Sequence, residues 1–306
     1  MGRTRRAGAT AGLQVRGGWG YGRITLMRLD PRHSIGFLLA LILTGAGLLR
    51  GAEWEPRVAI QTWTLRNLTF EQAVDFAVEH GFHELQLSLQ LNPKAPREEN
   101  ARKKELLQSK GLHVYTFGVN ETSLDKEENR KLFEFARFMG IQLLIVEPKD
   151  FKIWDNLEEL AKEYDIRVAV HNHGIKSLYG NPLVVRSVLK HRDRRLGVCL
   201  DVGWVTAAGF DAAKVFEEYE GRVFDIHLKD KRIEKVKEGE DVALDTPIGE
   251  GQANLKGLLK VLRATAWPGV LAIETDSPEL ALRPGPFVDG AKAYVKGQVA
   301  ALPPLK

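Results

Sequence analysis

The sequence predicts a single-domain α/β protein with a (β/α)₈ TIM barrel, and three features lead to that prediction. Beyond the first fifty residues, eight short apolar segments alternate with amphipathic helical patterns over about 250 residues, the usual length of this fold. The apolar segments are continuous rather than alternating, which indicates strands covered on both faces, as in a parallel sheet. Several helical patterns end with a glycine just before the next strand, where a left-handed residue commonly closes a helix.

The predicted elements follow one another at regular intervals. In chain order, the predicted strands are 57–63 (RVAIQTW), 84–88 (ELQLS), 112–118 (LHVYTFG), 142–148 (QLLIVEP), 167–173 (RVAVHNH), 196–202 (LGVCLDV), 223–229 (VFDIHLK) and 269–275 (GVLAIET). The helical patterns FEQAVDFAVEHG, REENARKKELLQSKG and EENRKLFEFARFMG lie between them and end at Gly81, Gly111 and Gly140. The charged stretch 231–249 shows neither pattern, and we expect a mobile loop there, at the mouth of the barrel.

A doubly wound open sheet is the alternative arrangement for alternating strands and helices. Such a sheet commonly carries a glycine-rich dinucleotide-binding turn after its first strand, whereas QTWTLRNLT occupies that place here. This difference weakens the alternative without excluding it. We therefore divide the chain into a leader (1–52), one barrel domain (53–300) and a short C-terminal tail (301–306).

The leader has the composition of a secretion signal. The apolar run 35–49 follows Arg28 and Arg32, and it is shorter than the ~20 residues that a membrane-spanning helix needs. We expect cleavage near the small residue Ala52, with Met27 as an alternative start of the chain. The barrel would then be exported, with the periplasm as its expected location. An uncleaved membrane anchor is the alternative.

The charge of the chain is divided unevenly. Residues 1–50 hold eight arginines and one acidic residue, whereas the remainder holds 36 basic and 39 acidic residues, a formal charge of −3. The barrel therefore lacks the basic footprint of a nucleic-acid-binding protein. Cys199 is the only cysteine, so no internal disulfide can form, and its apolar neighbours predict a buried thiol.

Residues of the metal-ligand type end five consecutive predicted strands. They are Glu147 on the fourth strand, His171 and His173 on the fifth, Asp201 on the sixth, His227 on the seventh and Glu274 on the eighth. The C-terminal ends of the strands carry the active site in such barrels. Side chains two residues apart on a strand point the same way, so both fifth-strand histidines should face one cavity. Because burying ionisable groups without a partner costs several kcal/mol each, we predict that a divalent cation binds among them.

The predicted donors are oxygen and nitrogen atoms, which fit Mn²⁺, Zn²⁺, Co²⁺ or Fe²⁺ better than Ca²⁺. We take one Mn²⁺ ion as the leading candidate and keep Zn²⁺, Co²⁺, Fe²⁺ and Mg²⁺ as alternatives. Spacing in the sequence does not rank these metals.

The same motifs resemble the sugar phosphate isomerase/epimerase family with a xylose isomerase-like TIM barrel. The resemblance covers about residues 57–298. It rests on AIQTWTLR (59–66), VHNHG (170–174), LDVGWVTAAGFD (200–211), GRVFDIHLKD (221–230), PIGEGQANLKGLL (247–259) and WPGVLAIETD (267–276). It implies one divalent metal held by a fifth-strand Glu together with Asp201, His227 and Glu274. The HNH form resembles a branch of the family whose members are often exported.

Two positions depart from the family pattern. His171 stands where the family usually has the fifth-strand Glu, and Trp204 stands where many relatives carry a His. The resemblance therefore implies a ligand role for His171, with Glu147 as another candidate ligand. The fifth-strand Glu is often the general base in the family, so its replacement leaves the base open among Glu274, His173 and Glu147.

The resemblance implies an isomerase or epimerase that works by proton abstraction next to a carbonyl. The metal would bind adjacent sugar oxygens and stabilise an enediolate while a base moves the proton. Lys229 could hold a substrate hydroxyl or phosphate, or could pair with Asp230. Trp63 and Trp204 could form a platform for a sugar ring, or could be ordinary packing at the rim of the barrel.

Three other functions remain as alternatives. A lyase or hydratase acting on 3-keto-sugars or 3-keto-glycosides would use the same metal site and the same first step. A DNA-repair enzyme like endonuclease IV is disfavoured by Trp204 at a ligand position and by the charge of −3. A non-catalytic sugar-binding protein is the last alternative. We expect a small-molecule sugar or keto-sugar as partner, no nucleic acid and no membrane contact after cleavage, and leave a homo-oligomer open.

Overall fold

Eight parallel strands close into one barrel, which confirms the predicted fold class. The structure is a computed structural model and describes residues 54–236 and 241–303. The predicted secretion signal and its cleavage site lie outside these residues, and the boundaries assigned to leader and tail stay predictions. In the two described ranges, no helix is both long and apolar enough to cross a membrane.

All eight predicted strands are present. Seven are shorter than the sequence pattern suggested, and β3 extends two residues further. The strands of the described residues are β1 (Arg57–Gln61), β2 (Glu84–Leu87), β3 (His113–Asn120), β4 (Leu143–Val146), β5 (Arg167–His171), β6 (Leu196–Asp201), β7 (Val223–Leu228), β8 (Asp230–Glu234), β9 (Val242–Thr246) and β10 (Val270–Ile273). Around the barrel the order is β1–β10–β7–β6–β5–β4–β3–β2, and β8 and β9 form a separate pair. Consecutive strands along the chain are thus neighbours in space, as βα units require.

Helices connect the strands on the outside of the barrel. They are α1 (Phe70–Glu79), α2 (Arg97–Ser109), α3 (Lys126–Met139), α4 (Ile153–Tyr164), α5 (Pro182–Leu189), α6 (Val202–Ala207), α7 (Ala212–Glu218), α8 (Leu255–Ala264), α9 (Pro278–Leu282) and α10 (Pro284–Ala300). Thr69 begins α1 with a capping box, in which its side chain and that of Gln72 bond to each other's backbone N–H. Gly81, Gly111 and Gly140 have φ values of +66°, +68° and +84°, which confirms their predicted role after the helices.

The main core lies between the strands and the surrounding helices. Inside the barrel, Leu143, Ile145, Ala169 and Cys199 form a smaller buried cluster below the strand ends. Cys199 is fully buried, so the prediction of a buried thiol is confirmed. Apolar side chains thus fill the lower barrel, and the polar residues of the strand ends form the next layer up.

The expectation of a loop over 231–249 is wrong at residues 231–234 and 242–246, which belong to β8 and β9. Strands β8 and β9 pair as an antiparallel ribbon, with Lys231 opposite Asp245. The two side chains form a buried ion pair. A buried Lys and a buried Asp do not produce the apolar alternation by which strands are recognised, so the pattern looked like a charged loop.

Candidate active site

Four ligand-type side chains from four adjacent strands meet at the C-terminal end of the barrel. His171 and Asp201 end β5 and β6, His227 lies on β7, and Glu274 directly follows β10. One donor atom of each lies within 4.8 Å of the others, and all four residues are buried. We call these four residues the ligand cluster. The structure brings together the three residues carried over from the family and the histidine that replaces its fifth-strand Glu.

The distances within the ligand cluster identify the atoms that face its centre. His171 Nε2 lies 3.2 Å from His227 Nδ1 and 3.5 Å from Asp201 Oδ2. His227 Nδ1 lies 2.6 Å from Glu274 Oε2 and 3.7 Å from Asp201 Oδ2. Donor atoms about 2.0–2.2 Å from a tetrahedral metal ion are separated by roughly 3–3.6 Å. The cluster is therefore near the dimensions of a divalent metal site.

Two buried carboxylate oxygens of the cluster, Asp201 Oδ2 and Glu274 Oε2, face its centre. Neither forms a hydrogen bond of good geometry among the described residues, although Lys229 Nζ lies 3.1 and 3.3 Å from them and His227 Nδ1 lies 2.6 Å from Glu274 Oε2. The other Asp201 oxygen, Oδ1, accepts the backbone N–H of Trp204 at 2.8 Å. An unsatisfied buried carboxylate oxygen is costly, and a cation satisfies both oxygens at once. The donor set of two carboxylates and two imidazoles thus fits a divalent ion.

Lys229 is buried and carries the nearest positive charge. Its Nζ lies 2.8 Å from Asp276 Oδ2, 3.1 Å from Asp201 Oδ2 and 3.3 Å from Glu274 Oε2. The suggested pairing with Asp230 is wrong, because that carboxylate accepts three backbone N–H groups instead. The ammonium group therefore partly balances the cluster and lies away from solvent.

Neighbouring charges lower the pKa values of the two carboxylates in the cluster and raise those of the two imidazoles. Burial raises the pKa of Asp201, but Lys229 and His171 outweigh it and hold that pKa well below its usual range. Burial likewise raises the pKa of Glu274, and His227 and Lys229 lower it to about 2. Burial lowers the pKa of both imidazoles, but neighbouring acidic groups raise it, in His227 well above the usual value. A cation entering the cluster would displace the imidazole protons.

Glu147 and His173 form a pair beside the ligand cluster, nearer to solvent. His173 Nδ1 lies 2.5 Å from Glu147 Oε2, and His171 Nδ1 lies 3.9 Å from the same oxygen. The side chain of His173 is 46% exposed, whereas those of the cluster are at most 7% exposed. Burial raises the pKa of Glu147, but the neighbouring imidazoles of His171 and His173 lower it to about 2. The two histidines of the HNH motif thus lie in different surroundings, one buried in the cluster and one half-exposed beside it.

The two tryptophans lie partly buried at the mouth, each with a cation over one face. Lys231 Nζ lies 3.9 Å from the centre of the Trp204 ring, and the Arg66 guanidinium lies 5.1 Å from the centre of Trp63. The rings of Trp204 and His173 are 6.0 Å apart. Each tryptophan thus already has a cation over one face of its ring.

Polar side chains beneath the ligand cluster surround the Nε2 side of His227. Most of these side chains were not among the site residues predicted from the sequence. His227 Nε2 lies 2.7 Å from the side-chain amide of Gln86 and 3.8 Å from Asp225 Oδ2. Asp225 accepts the hydroxyl of Tyr115 at 2.8 Å and the thiol of Cys199 at 3.3 Å. These contacts keep Nδ1 of His227 turned toward the cluster. Asp225 lies two residues before His227 on one strand, which was the available signal.

An asparagine and a glycine help to position the strand ends and Lys229 at the site. Asn172, between the two histidines, accepts the backbone N–H of Asp201 at 2.9 Å and donates to its carbonyl at 3.2 Å, joining the ends of β5 and β6. A Cβ on Gly203 would lie 2.7 Å from Lys229 Cγ, so the glycine is needed for the path of that lysine. Neither role is visible in local patterns, because both depend on a neighbouring strand.

Comparisons with known proteins agree with this geometry. The sequence profile of the family described as "Xylose isomerase-like TIM barrel" matches residues 74–297. An inosose dehydratase of Clostridium perfringens is 25% identical over 270 residues, which cover 74% of this chain and 89% of the relative.

Two solved structures are similar as well. A protein of Parabacteroides distasonis is 28% identical with a TM-score of 0.59, and the match covers 79% of this chain and all of that one. The zinc-bound IOLI protein is 13% identical with a TM-score of 0.66, and the match covers 81% of this chain and all of that one. At 13% identity the second likeness shows the fold alone.

Proposed function

Because this chain belongs to the xylose isomerase-like TIM barrel family, we propose that it is a metal-dependent enzyme acting on a sugar or keto-sugar. Its first step would be removal of a proton next to a carbonyl. The main support is the ligand cluster, in which donor atoms of two carboxylates and two imidazoles lie within 4.8 Å of one another and are buried. His171, Asp201, His227 and Glu274 would hold a divalent ion, which when bound polarises a substrate oxygen and acidifies the adjacent C–H.

His173 is the group that we propose moves the proton. Its Nδ1 is bonded to Glu147, so Nε2 is the nitrogen left to exchange a proton with the substrate. Glu147 would orient the ring and stabilise its charged form, as carboxylates do in other acid–base pairs. Glu274 is the less accessible base, because its side chain is 7% exposed and contacts His227 and Lys229.

Loss of water from a keto-sugar is the outcome that we propose for this site. The imidazole of His173 takes the proton from the carbon next to the carbonyl, and a C=C bond forms as the C–O bond of the hydroxyl on the following carbon breaks. The proton then goes to that hydroxyl oxygen as water leaves. One acid–base group is enough for this sequence. The likeness to inosose dehydratases supports this outcome.

Isomerisation or epimerisation is the second candidate, and one observation favours it. Epimerisation needs acid–base groups on both faces of the substrate. Glu147 follows β4 and Glu274 follows β10, and these strands lie on opposite sides of the eight-stranded ring. The substitution of the fifth-strand carboxylate by His171 argues against it, since this imidazole is buried within the cluster.

Solvent exchange in D₂O tests the shared first step. With Mn²⁺ or Zn²⁺ present, we expect deuterium to enter the substrate or product for at least one member of a panel of pentoses, hexoses and 3-keto-glucosides. His173→Gln should abolish exchange while leaving metal content unchanged, because His173 lies outside the cluster. His191→Gln, at an exposed histidine, is the matched control and should behave as wild type.

The products then separate the two candidates. A dehydrated keto-sugar supports the lyase, and a rearranged or inverted sugar supports the isomerase or epimerase. For an isomerase or epimerase, turnover without deuterium in product or recovered substrate contradicts proton abstraction. For the lyase, a product that retains the hydrogen of the carbon next to the carbonyl contradicts it.

A further inference from the structure

A long groove leads from the mouth of the barrel to its outer surface and is not used by the reaction proposed above. Its inner part has a volume of about 490 Å³ and reaches Glu147. Its outer part has a volume of about 720 Å³ and lies between α2, α3 and the residues before α2. Asn120, Glu121 and Thr122 line both parts, so the two parts lie side by side along the β3–α3 connection.

The dimensions of the groove indicate more than one sugar unit. Small-molecule sites typically have volumes of roughly 300–1,000 Å³, so each part has the size of a ligand site by itself. A ligand whose reacting ring lies at Glu147 would occupy only the inner part. The outer part would then be available to a further ring joined to the first.

Two buried polar atoms in the outer groove lack partners within the described ranges. Asn100 is 2% exposed, and its Nδ2 donates to the Asn92 carbonyl at 3.0 Å while its Oδ1 has no partner. The hydroxyl of Thr122 is also buried and unpaired. Buried polar groups are nearly always paired. Because both atoms have almost no accessible surface, ligand hydroxyl groups would reach them only after small shifts of the covering side chains.

The charges of the outer groove favour a neutral ligand. Its basic and acidic lining residues balance, since they are Lys94, Arg97, Lys131, Glu121, Glu128 and Glu134. Lys131 and Glu128 are already paired at 2.6 Å. Leu132 and Phe135 add apolar surface to the lining, and the Arg97 guanidinium lies over the Phe138 ring. A phosphorylated ligand would meet acidic side chains here without a surplus of positive charge.

We propose that this groove binds the second ring of a neutral glycoside, so that the substrate is at least a disaccharide. The position of the reacting ring beside Glu147 and His173 rests on the proposed function. The binding of the second ring rests on the groove alone. The two claims can therefore fail separately.

Binding to the full chain tests the groove directly. The probes are glucose, maltose, cellobiose, trehalose and lactose, titrated by NMR or calorimetry. We expect at least one disaccharide to bind about tenfold or more tightly than glucose, as satisfying a few hydrogen bonds would predict. A result in which none of the four disaccharides binds more tightly than glucose overturns the proposal.

Substitutions locate the second ring. Ala95 is half-buried and lines the outer groove, so Ala95→Trp should remove the advantage of the disaccharide and leave glucose binding unchanged. Glu98→Trp adds the same indole at an exposed position outside the lining and should keep the advantage. Thr122→Val removes one unpaired hydroxyl and should weaken disaccharide binding about threefold or more. This variant tests the groove if Ala95→Trp does not fold.

The outcomes distinguish the groove from the reaction. Disaccharide binding that Ala95→Trp abolishes, without deuterium exchange for any sugar, supports the groove and contradicts the proposed function. Deuterium exchange that is as fast with single rings as with disaccharides, and equal in Ala95→Trp, contradicts the groove and supports the proposed function. Equal loss of binding in Ala95→Trp and Glu98→Trp also overturns the groove.

Discussion

The two sides of the barrel mouth satisfy their polar groups in opposite ways. At the ends of β5, β6, β7 and β10, four ionisable side chains are buried around one point, with a buried lysine beside them. Near β2 and β3, the groove is open and its charged side chains balance one another. Charges act strongly where water is excluded, which suits chemistry, whereas uncharged amides in an open groove suit recognition of a neutral ligand.

The ribbon of β8 and β9 strengthens this difference. Asp245, on the ribbon, accepts the hydroxyl of Thr275 at 2.9 Å and the backbone N–H of Asp276 at 2.6 Å. Its other oxygen pairs with Lys231, which covers Trp204. The ribbon is thus fastened to the segment after β10, next to the ligand cluster. We call the side of the mouth that carries the ligand cluster the closed side. Buried polar contacts join its chain segments to one another.

The largest expected effect is loss of metal from the closed side. Asp201→Asn and Glu274→Gln keep the shape of the cluster but each removes a negative charge, so affinity for Mn²⁺ or Zn²⁺ should fall by at least about 100-fold. Metal content after dialysis measures this. Glu121→Gln changes an exposed carboxylate of the open groove and should leave metal content unchanged. Wild-type occupancy in both cluster variants would contradict the assigned ligands.

A smaller effect concerns stability and should depend on metal. Lys229→Met leaves Asp201, Glu274 and Asp276 without the ammonium that now balances them. We expect a loss of about 3–5 kcal/mol in the free energy of unfolding in chelator, because an uncompensated charge is left buried. Added metal should recover a large part of that loss.

Urea denaturation with and without metal measures the difference. Lys94→Met, at an exposed lysine of the open groove, is the control and should change the unfolding free energy by less than about 0.5 kcal/mol. An equal loss with and without metal for Lys229→Met would show that its role is packing rather than charge.

The smallest expected effect concerns the residues that begin two helices, one on the closed side of the mouth and one beside the groove. Asp211 begins α7 by accepting two backbone N–H groups, and it also accepts Asn254 Nδ2 at 2.9 Å. Asp125 begins α3, beside the groove, by accepting one backbone N–H. Asp211→Ala should cost about 1 kcal/mol or more at pH 7, and more than Asp125→Ala, because it loses additional bonds.

The cost of Asp211→Ala should also depend on pH. Burial raises the pKa of Asp211, but the hydrogen bonds from Asn254 and the backbone outweigh it and leave the pKa below the ordinary value. A lowered pKa stabilises the fold above the unfolded-state pKa of about 4, and that contribution is lost as pH falls through the folded-state pKa. Chemical unfolding at pH 7 and at pH 3 measures this; an unchanged difference between wild type and variant would contradict it.

Much of this molecule was predictable because its signals are local. A strand of a parallel barrel is buried on both faces, so each strand appears as an apolar run, and Gly81, Gly111 and Gly140 mark the ends of three helices. Once a barrel is assumed, residues that follow these runs must lie at one end of it. That reasoning placed Asp201 and His227 near each other without any knowledge of a contact.

The rest depends on which strands and loops lie opposite each other, and local patterns do not contain that information. Asp225 belongs to the site because Tyr115 bonds to it from the other side of the barrel, and Gln86, which contacts Tyr115, also contacts His227. Lys231 and Asp245 form a ribbon because their charges pair in the interior. The sequence by itself thus determined the barrel and the residue types at its mouth. Only the tertiary structure decided which of them share charges and protons, because those interactions depend on distances across the barrel rather than along the chain.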